Sequence, residues 1–94
     1  MCNDHESRKA FKVHGRVQGV GFRWWAQHQA RELGLRGTVR NCADGTVEIA
    51  FTGGSESVAE MCARLQFGPR SAHVQELEKL EPPDQFPGDF RISL

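Results

Sequence analysis

Three glycines and an arginine lie in one short stretch of the chain that could bind an anion. Gly15, Gly19 and Gly21 fall within seven residues, and Arg23 follows two positions later. Glycine adopts left-handed backbone conformations that turn several N–H groups toward one point, and a guanidinium group can clamp two phosphate oxygens. We call residues 15–23 the cradle segment and predict that it binds a small phosphate compound. The alternative is that the glycines only make a tight corner and that Arg23 is solvated.

The elements on either side of the cradle segment are those that an anion site needs, but they leave both interpretations open. Leading into it, Phe11, Val13, Gly15 and Val17 alternate with polar residues, which is typical of a strand with one buried face. After it, the apolar period changes to that of a helix, with the stripe Phe22, Trp25, Ala26, Ala30 and Leu33. A helix start has unpaired N–H groups and the positive end of the helix dipole, so an anion at this junction would be stabilised.

Known phosphate loops of other kinds do not fit these residues. A Walker A loop requires Gly-Lys, a pair that occurs nowhere in the chain. The dinucleotide fingerprint would need a glycine where Trp24 stands. A phosphatase with a cysteine nucleophile would carry that cysteine in the loop, but residues 15–23 contain none.

The rest of the chain divides into further short elements. Gly34 is a plausible left-handed end of the first helix. Alternating residues and the Asp44-Gly45 turn predict a hairpin of strands 36–41 and 46–52, which Gly53-Gly54 ends. Ser55 or Ser57 could cap a second helix, and Ser57 has the capping-box spacing to Glu60. The apolar stripe of this helix is Val58, Met61, Cys62 and Leu65.

The period of residues 72–81 leaves open whether they form a helix or a bulged strand, because Val74, Leu77 and Leu80 are three apart. Phe90, Ile92 and Leu94 alternate as a last strand. With residues 72–81 as a strand, the order β-α-β-β-α-β-β predicts an α+β, ferredoxin-like split β-α-β sandwich with both helices on one face of the sheet. The other face is left to polar residues such as Lys12, His14 and Glu48. In this plan we expect the first strand and strand 36–41 to be parallel neighbours whose ends meet. We expect residues 1–9 to be a frayed polar tail and residues 10–94 to form the domain.

Composition limits the possible partners and location. Twelve basic and twelve acidic residues balance, which argues against binding to nucleic acid or to an anionic membrane. An RNA-binding domain of this fold would also need aromatics on the open sheet face, whereas Phe11, Phe51 and Phe90 fall in the apolar phase. Cys2, Cys42 and Cys62 have no metal-site spacing. We expect a cytoplasmic monomer with free thiols.

Two blocks of the sequence resemble the signatures of the acylphosphatases. The cradle segment, Gly-Arg-Val-Gln-Gly-Val-Gly-Phe-Arg, looks like their first signature. Residues 37–41, Gly-Thr-Val-Arg-Asn, resemble the second, except that Thr38 stands where many members have an aromatic residue. The similarity covers about residues 10–94, and it implies the ferredoxin-like fold with residues 72–81 as a strand. The chain ends at Leu94, which favours a free-standing enzyme of the bacterial type.

The resemblance implies hydrolysis of acyl phosphates to a carboxylate and phosphate, with no metal or cofactor. By motif position, Arg23 binds the phosphate and Asn41 positions the attacking water, for which its amide offers both a donor and an acceptor. The remaining phosphate contacts would come from the loop backbone, at Val17, Gln18, Gly19, Val20, Gly21 and Phe22. A non-catalytic phosphate- or carbamoyl-phosphate-binding module on the same fold is the alternative. The sequence does not identify the acyl group, nor whether Trp24 or Arg16 contacts the substrate.

Overall fold

The computed structural model describes residues 6–93, and within them two helices cover one mixed sheet of five strands. The order of elements is the one that the apolar pattern predicted, and residues 72–81 contain a strand, as the family resemblance implied. The fold is therefore the predicted ferredoxin-like α+β sandwich. Its elements are β1 (Glu6–Arg16), α1 (Phe22–Glu32), β2 (Arg36–Asn41), β3 (Val47–Gly54), α2 (Ser55–Leu65), β4 (His73–Leu80) and β5 (Phe90–Ile92).

The order of strands across the sheet is β4-β1-β3-β2-β5. β3 pairs antiparallel with both β1 and β2, and β5 pairs parallel with β2. Since β1 and β2 each run opposite to β3, they point the same way and end at the same edge of the sheet. That edge carries the cradle segment after β1 and Asn41 at the end of β2.

One topological expectation needs correction. The predicted plan has β1 and β2 as adjacent parallel strands whose ends meet, but β3 lies between them. Neighbouring strands are about 4.8 Å apart, so the ends of β1 and β2 are separated by about 10 Å. The reason is the hairpin: β3 follows β2 through a tight turn and takes the central position between β1 and β2. Something other than strand pairing must therefore connect the cradle segment to β2.

The core lies between the sheet and the two helices. The predicted apolar stripes of the two helices form the helical side of the core. Trp25 and Leu33 are only partly buried and pack at its margin. The open face of the sheet is polar, as expected, and Lys12, His14 and Glu48 lie on it. All three phenylalanines that argued against RNA binding are buried. The fully enclosed side chains include Val13, Phe22, Val39, Ile49, Phe51, Met61, Leu65 and Phe90.

Some predicted boundaries differ from the structure. β1 begins at Glu6, and its first four residues pair with β3, so residues 6–9 form strand and not tail. Residues 1–5 of the predicted tail lie outside the described residues, as does Leu94. β3 continues through Gly53-Gly54. The predicted caps of α2 are wrong, because Gly54 is the N-cap and no side chain caps the helix. The strand runs directly into the helix, which leaves no turn for a serine to cap.

Candidate active site

A cleft of about 180 Å³ lies where the cradle segment meets the end of β2. It brings together Arg23 and Asn41, the two residues that the sequence placed in different blocks. A larger depression of about 500 Å³ lies around the start of β1, away from both blocks. We take the smaller cleft as the candidate site because it has the groups that can bind a phosphate. The cleft is lined by Val17, Gly19, Gly21, Phe22, Arg23, Trp24, Asn41 and Ile92.

The backbone of the cradle segment presents a continuous set of unpaired donors. Gly19 and Gly21 have φ of +74° and +79°, and nothing lies within 4 Å of the position that a Cβ would take at either residue. Gly21 is the N-cap of α1 and has no side chain to cap the helix. The first backbone hydrogen bond is donated by the Trp25 N–H to the Gly21 carbonyl, at 2.9 Å. The N–H groups of residues 18–24 donate to no acceptor within residues 6–93.

Gly15 has a different role from the other two glycines. Its φ is +130°, and a Cβ there would collide with the backbone carbonyl oxygen of His73 in β4. The pairing of β1 with β4 shifts register between His14 and Gly15, which is a bulge. Gly15 therefore allows β1 and β4 to approach closely, whereas Gly19 and Gly21 shape the loop.

Arg23 and Asn41 supply the polar side chains of the cleft. Arg23 lies in the first turn of α1 and is partly exposed. Among the described residues, no carboxylate lies within ion-pair distance of its guanidinium. Asn41 is the last residue of β2 and is exposed. The first turn of α1 contains no acidic residue, so the positive end of the helix and the Arg23 charge are not offset there.

The side chain of Gln18 bridges the gap that β3 leaves between β1 and β2. Its Nε2 donates hydrogen bonds to the backbone carbonyl oxygens of Cys42 and Thr46, at 2.7 and 2.8 Å. These carbonyls belong to the residues on either side of the β2–β3 turn, next to Asn41. Gln18 thus holds the cradle segment at a fixed distance from Asn41. We had predicted only a backbone contact for Gln18, because its partners are carbonyls more than twenty positions away and no residue type marks them.

The turn that receives Gln18 is itself ordered by a side chain. The Asp44 carboxylate accepts hydrogen bonds from the Thr46 hydroxyl and backbone N–H, at 2.6 and 3.1 Å. Lys12 adds an ion pair at 3.4 Å. The bonds from Thr46, supported by Lys12, lower the pKa of Asp44 to about 2. This arrangement fixes Thr46, whose backbone carbonyl accepts a hydrogen bond from Gln18.

The cradle segment has a second anchor on the side of β4. The Ser71 hydroxyl, in the connection from α2 to β4, donates to the Val20 carbonyl oxygen at 2.7 Å. This bond ties the middle of the cradle segment to the connection that precedes β4. Sequence reasoning did not identify Ser71 as part of the site, although it lies in the conspicuous Gly-Pro-Arg-Ser-Ala run at residues 68–72.

The remaining candidate residues are placed as follows. Arg16 ends β1, is exposed and does not line the cleft. Trp24 does line it, and its indole packs against the His28 ring, with the ring centroids 4.0 Å apart and the planes tilted by 43°. Cys42 and Cys62 are free thiols, and burial raises the pKa of the Cys62 thiol; Cys2 lies outside the described residues. No helix within residues 6–93 is long and apolar enough to cross a membrane.

Known proteins share both the sequence pattern and the fold of this chain. The acylphosphatase family model matches residues 9–92. An acylphosphatase of Rhizobium etli is 40% identical over 97% of this chain and 98% of its own length. The structure of an acylphosphatase from Coxiella burnetii is 33% identical, with a TM-score of 0.84 over 99% of this chain and 100% of that one. The structure of T. kodakarensis HypF is 32% identical, with a TM-score of 0.80, and the match covers 96% of this chain but 12% of that protein. Both the extent of the family match and the full-length relatives show that the chain belongs to the acylphosphatase family.

Proposed function

We propose that this chain hydrolyses acyl phosphates to a carboxylate and inorganic phosphate by direct attack of water on the phosphorus. The cradle segment and Arg23 would hold the phosphoryl group, and Asn41 would orient the water. The observation that carries this proposal is one cleft that brings Arg23 and Asn41 together beside the cradle segment, where the N–H groups of residues 18–24 have no backbone acceptor within residues 6–93. Fixed donors of this kind can match the charge on the equatorial oxygens of a phosphoryl group in its transition state.

The reaction needs little chemistry from the protein. The water oxygen forms a bond to phosphorus while the bond between phosphorus and the acyl oxygen breaks. The carboxylate leaves with the bonding electron pair, so an acyl phosphate dianion and water give a carboxylate and dihydrogen phosphate. Because the carboxylate is a weak base, no general acid has to protonate it. The site must mainly position the reactants and stabilise charge.

Asn41 is suited to position the water without acting as a base. An amide has an acceptor oxygen and an NH2 donor but does not take up a proton at neutral pH. Asn41 lies at the end of β2, whereas the cradle segment follows β1. Gln18 connects the two through two short hydrogen bonds to the residues beside Asn41. The groups that hold the water and the phosphoryl group would thus keep a fixed distance from each other.

Two variants test the assigned roles. Arg23→Gln removes the one cationic side chain that lines the cleft among residues 6–93, and we expect kcat to fall by about 10²- to 10³-fold, the effect of losing one charge-stabilising donor. Asn41→Ala should lower kcat by about 100-fold or more by misplacing the water, yet keep phosphate binding. Hydrolysis of benzoyl phosphate and competitive inhibition by phosphate measure the two effects separately.

Arg31→Gln is the matched control, because Arg31 is exposed near the other end of α1 and does not line the cleft. It should retain wild-type kinetics. If Asn41→Ala hydrolyses benzoyl phosphate as fast as the wild type, the role of Asn41 is wrong.

The second candidate function is a phosphate-binding module without turnover. The observation that favours it is the match to a small part of a much longer protein, T. kodakarensis HypF. The wild-type chain distinguishes the two: phosphate binding without release of phosphate from any acyl phosphate would support the module.

We also propose that the chain acts as a monomer in the cytoplasm, on a small-molecule substrate and without nucleic acid or membrane. The balanced charge supports this proposal, and so do the free thiols Cys42 and Cys62, which suit a reducing compartment. Sedimentation of the purified chain would test the oligomeric state.

A further inference from the structure

We propose that Trp24 binds the acyl group and makes this enzyme favour acyl phosphates with an aromatic or extended apolar acyl part. This inference rests on the proposed function and goes beyond it, because neither Arg23 nor Asn41 distinguishes one acyl group from another. It concerns the part of the substrate that lies beyond the phosphoryl group.

The size of the cleft limits what it can enclose. Its volume is about 180 Å³, whereas pockets that enclose a drug-sized ligand measure about 300–1,000 Å³. The unpaired N–H groups and Arg23 would hold the phosphoryl end, which leaves little enclosed space for a larger acyl group. Such a group must extend over the rim of the cleft.

Trp24 and Ile92 provide the apolar surface at that rim. Of the apolar residues that line the cleft, Val17 and Phe22 are each 1% exposed and have almost no free surface. Trp24 is 62% exposed, and Ile92, at the end of β5, is half-buried. An acyl group that covers the indole would remove apolar surface of both partners from water, and an aromatic acyl group could also stack on it.

His28 holds the indole of Trp24 in place. The two residues are one helical turn apart on α1, and their rings pack with centroids 4.0 Å apart. His28 does not line the cleft. Its imidazole therefore contacts the indole from outside the cleft and leaves the indole surface inside it free for the substrate. A side chain that is already ordered loses less conformational freedom when a ligand binds.

The experiment compares two substrates that differ only in the acyl group, benzoyl phosphate and acetyl phosphate. The measured quantity is the ratio of their kcat/KM values. For Trp24→Ala we expect this ratio to fall by about 3- to 10-fold, the scale of an aromatic stacking contact. Trp24→Phe keeps an aromatic ring and should keep most of the ratio.

Phe67→Ala is the matched control, since Phe67 is 79% exposed and does not line the cleft; its ratio should equal that of the wild type. An unchanged ratio in Trp24→Ala would overturn the inference. If kcat/KM falls equally for both substrates, Trp24 only maintains the shape of the cleft. If the wild type hydrolyses neither substrate while phosphate still binds, the proposed function itself fails, and this inference with it.

Discussion

The bridge from Gln18 to the β2–β3 turn allows a sharp test of how the site is assembled. Gln18→Ala removes hydrogen bonds of 2.7 and 2.8 Å to the carbonyls of Cys42 and Thr46. The site lies in the gap of about 10 Å that β3 leaves between β1 and β2, and Gln18 spans that gap. Without the bridge, the cradle segment and Asn41 are expected to move relative to each other.

The magnitude follows from the two bonds. Each hydrogen bond contributes about 0.5–1.5 kcal/mol net, so the pair contributes about 1–3 kcal/mol. If this free energy is needed to hold the transition-state geometry, kcat/KM falls by about 5- to 150-fold, because 1.36 kcal/mol corresponds to a factor of ten. Gln18→Glu keeps the shape but opposes a carboxylate to two carbonyl oxygens, and it should be at least as impaired.

The assay is hydrolysis of benzoyl phosphate under conditions in which each variant is folded, together with the free energy of unfolding in urea. Gln27→Ala is the matched control: Gln27 also donates from Nε2 to a backbone carbonyl, that of Phe90, at 3.1 Å, and it does not line the cleft. It should lose some stability and keep its kcat/KM. The reasoning is refuted if Gln18→Ala loses stability as Gln27→Ala does but keeps kcat/KM within about twofold, well below the loss that its bonds predict.

Two further predictions concern stability. Gly15→Ala places a Cβ against the His73 carbonyl at a φ of +130°, so we expect the free energy of unfolding in urea to fall by about 1–3 kcal/mol. Gly88→Ala is the control, because the space around its added Cβ is open. Equal stability of the two variants would contradict the role of Gly15. Asp44 has its pKa lowered to about 2 by Thr46 and Lys12, so its ionised form adds stability above about pH 4 that is lost as the pH falls toward 2. The melting temperature of Asp44→Asn should therefore be lower than that of the wild type at pH 7, with the difference shrinking below pH 4; a difference independent of pH would rule out the carboxylate charge as the cause.

The apolar periods predicted most of the local structure correctly. Helix α1 begins at Phe22 and its buried residues follow the predicted stripe, because burial of one face is a property of spacing alone. The β2 strand occupies the predicted residues 36–41, and Gly34 has the left-handed conformation expected after a helix. The errors fall at element junctions, such as Gly54, where the neighbouring strand decides where the chain turns.

The sequence by itself determined which residues could do the chemistry. Glycines before a helix start and an arginine in its first turn indicate an anion site. This inference depends on residue type and short spacing, which the printed chain shows directly. Asn41 was added by the resemblance of residues 37–41 to the second acylphosphatase signature.

Only the tertiary structure decided how these residues are brought together. It placed β3 between β1 and β2, assigned Gly15 to strand packing, and showed Gln18 and Ser71 anchoring the cradle segment to backbone carbonyls. Every residue has a backbone carbonyl, so a sequence does not show which one a distant side chain will reach. That choice is fixed when the sheet and its turns come together.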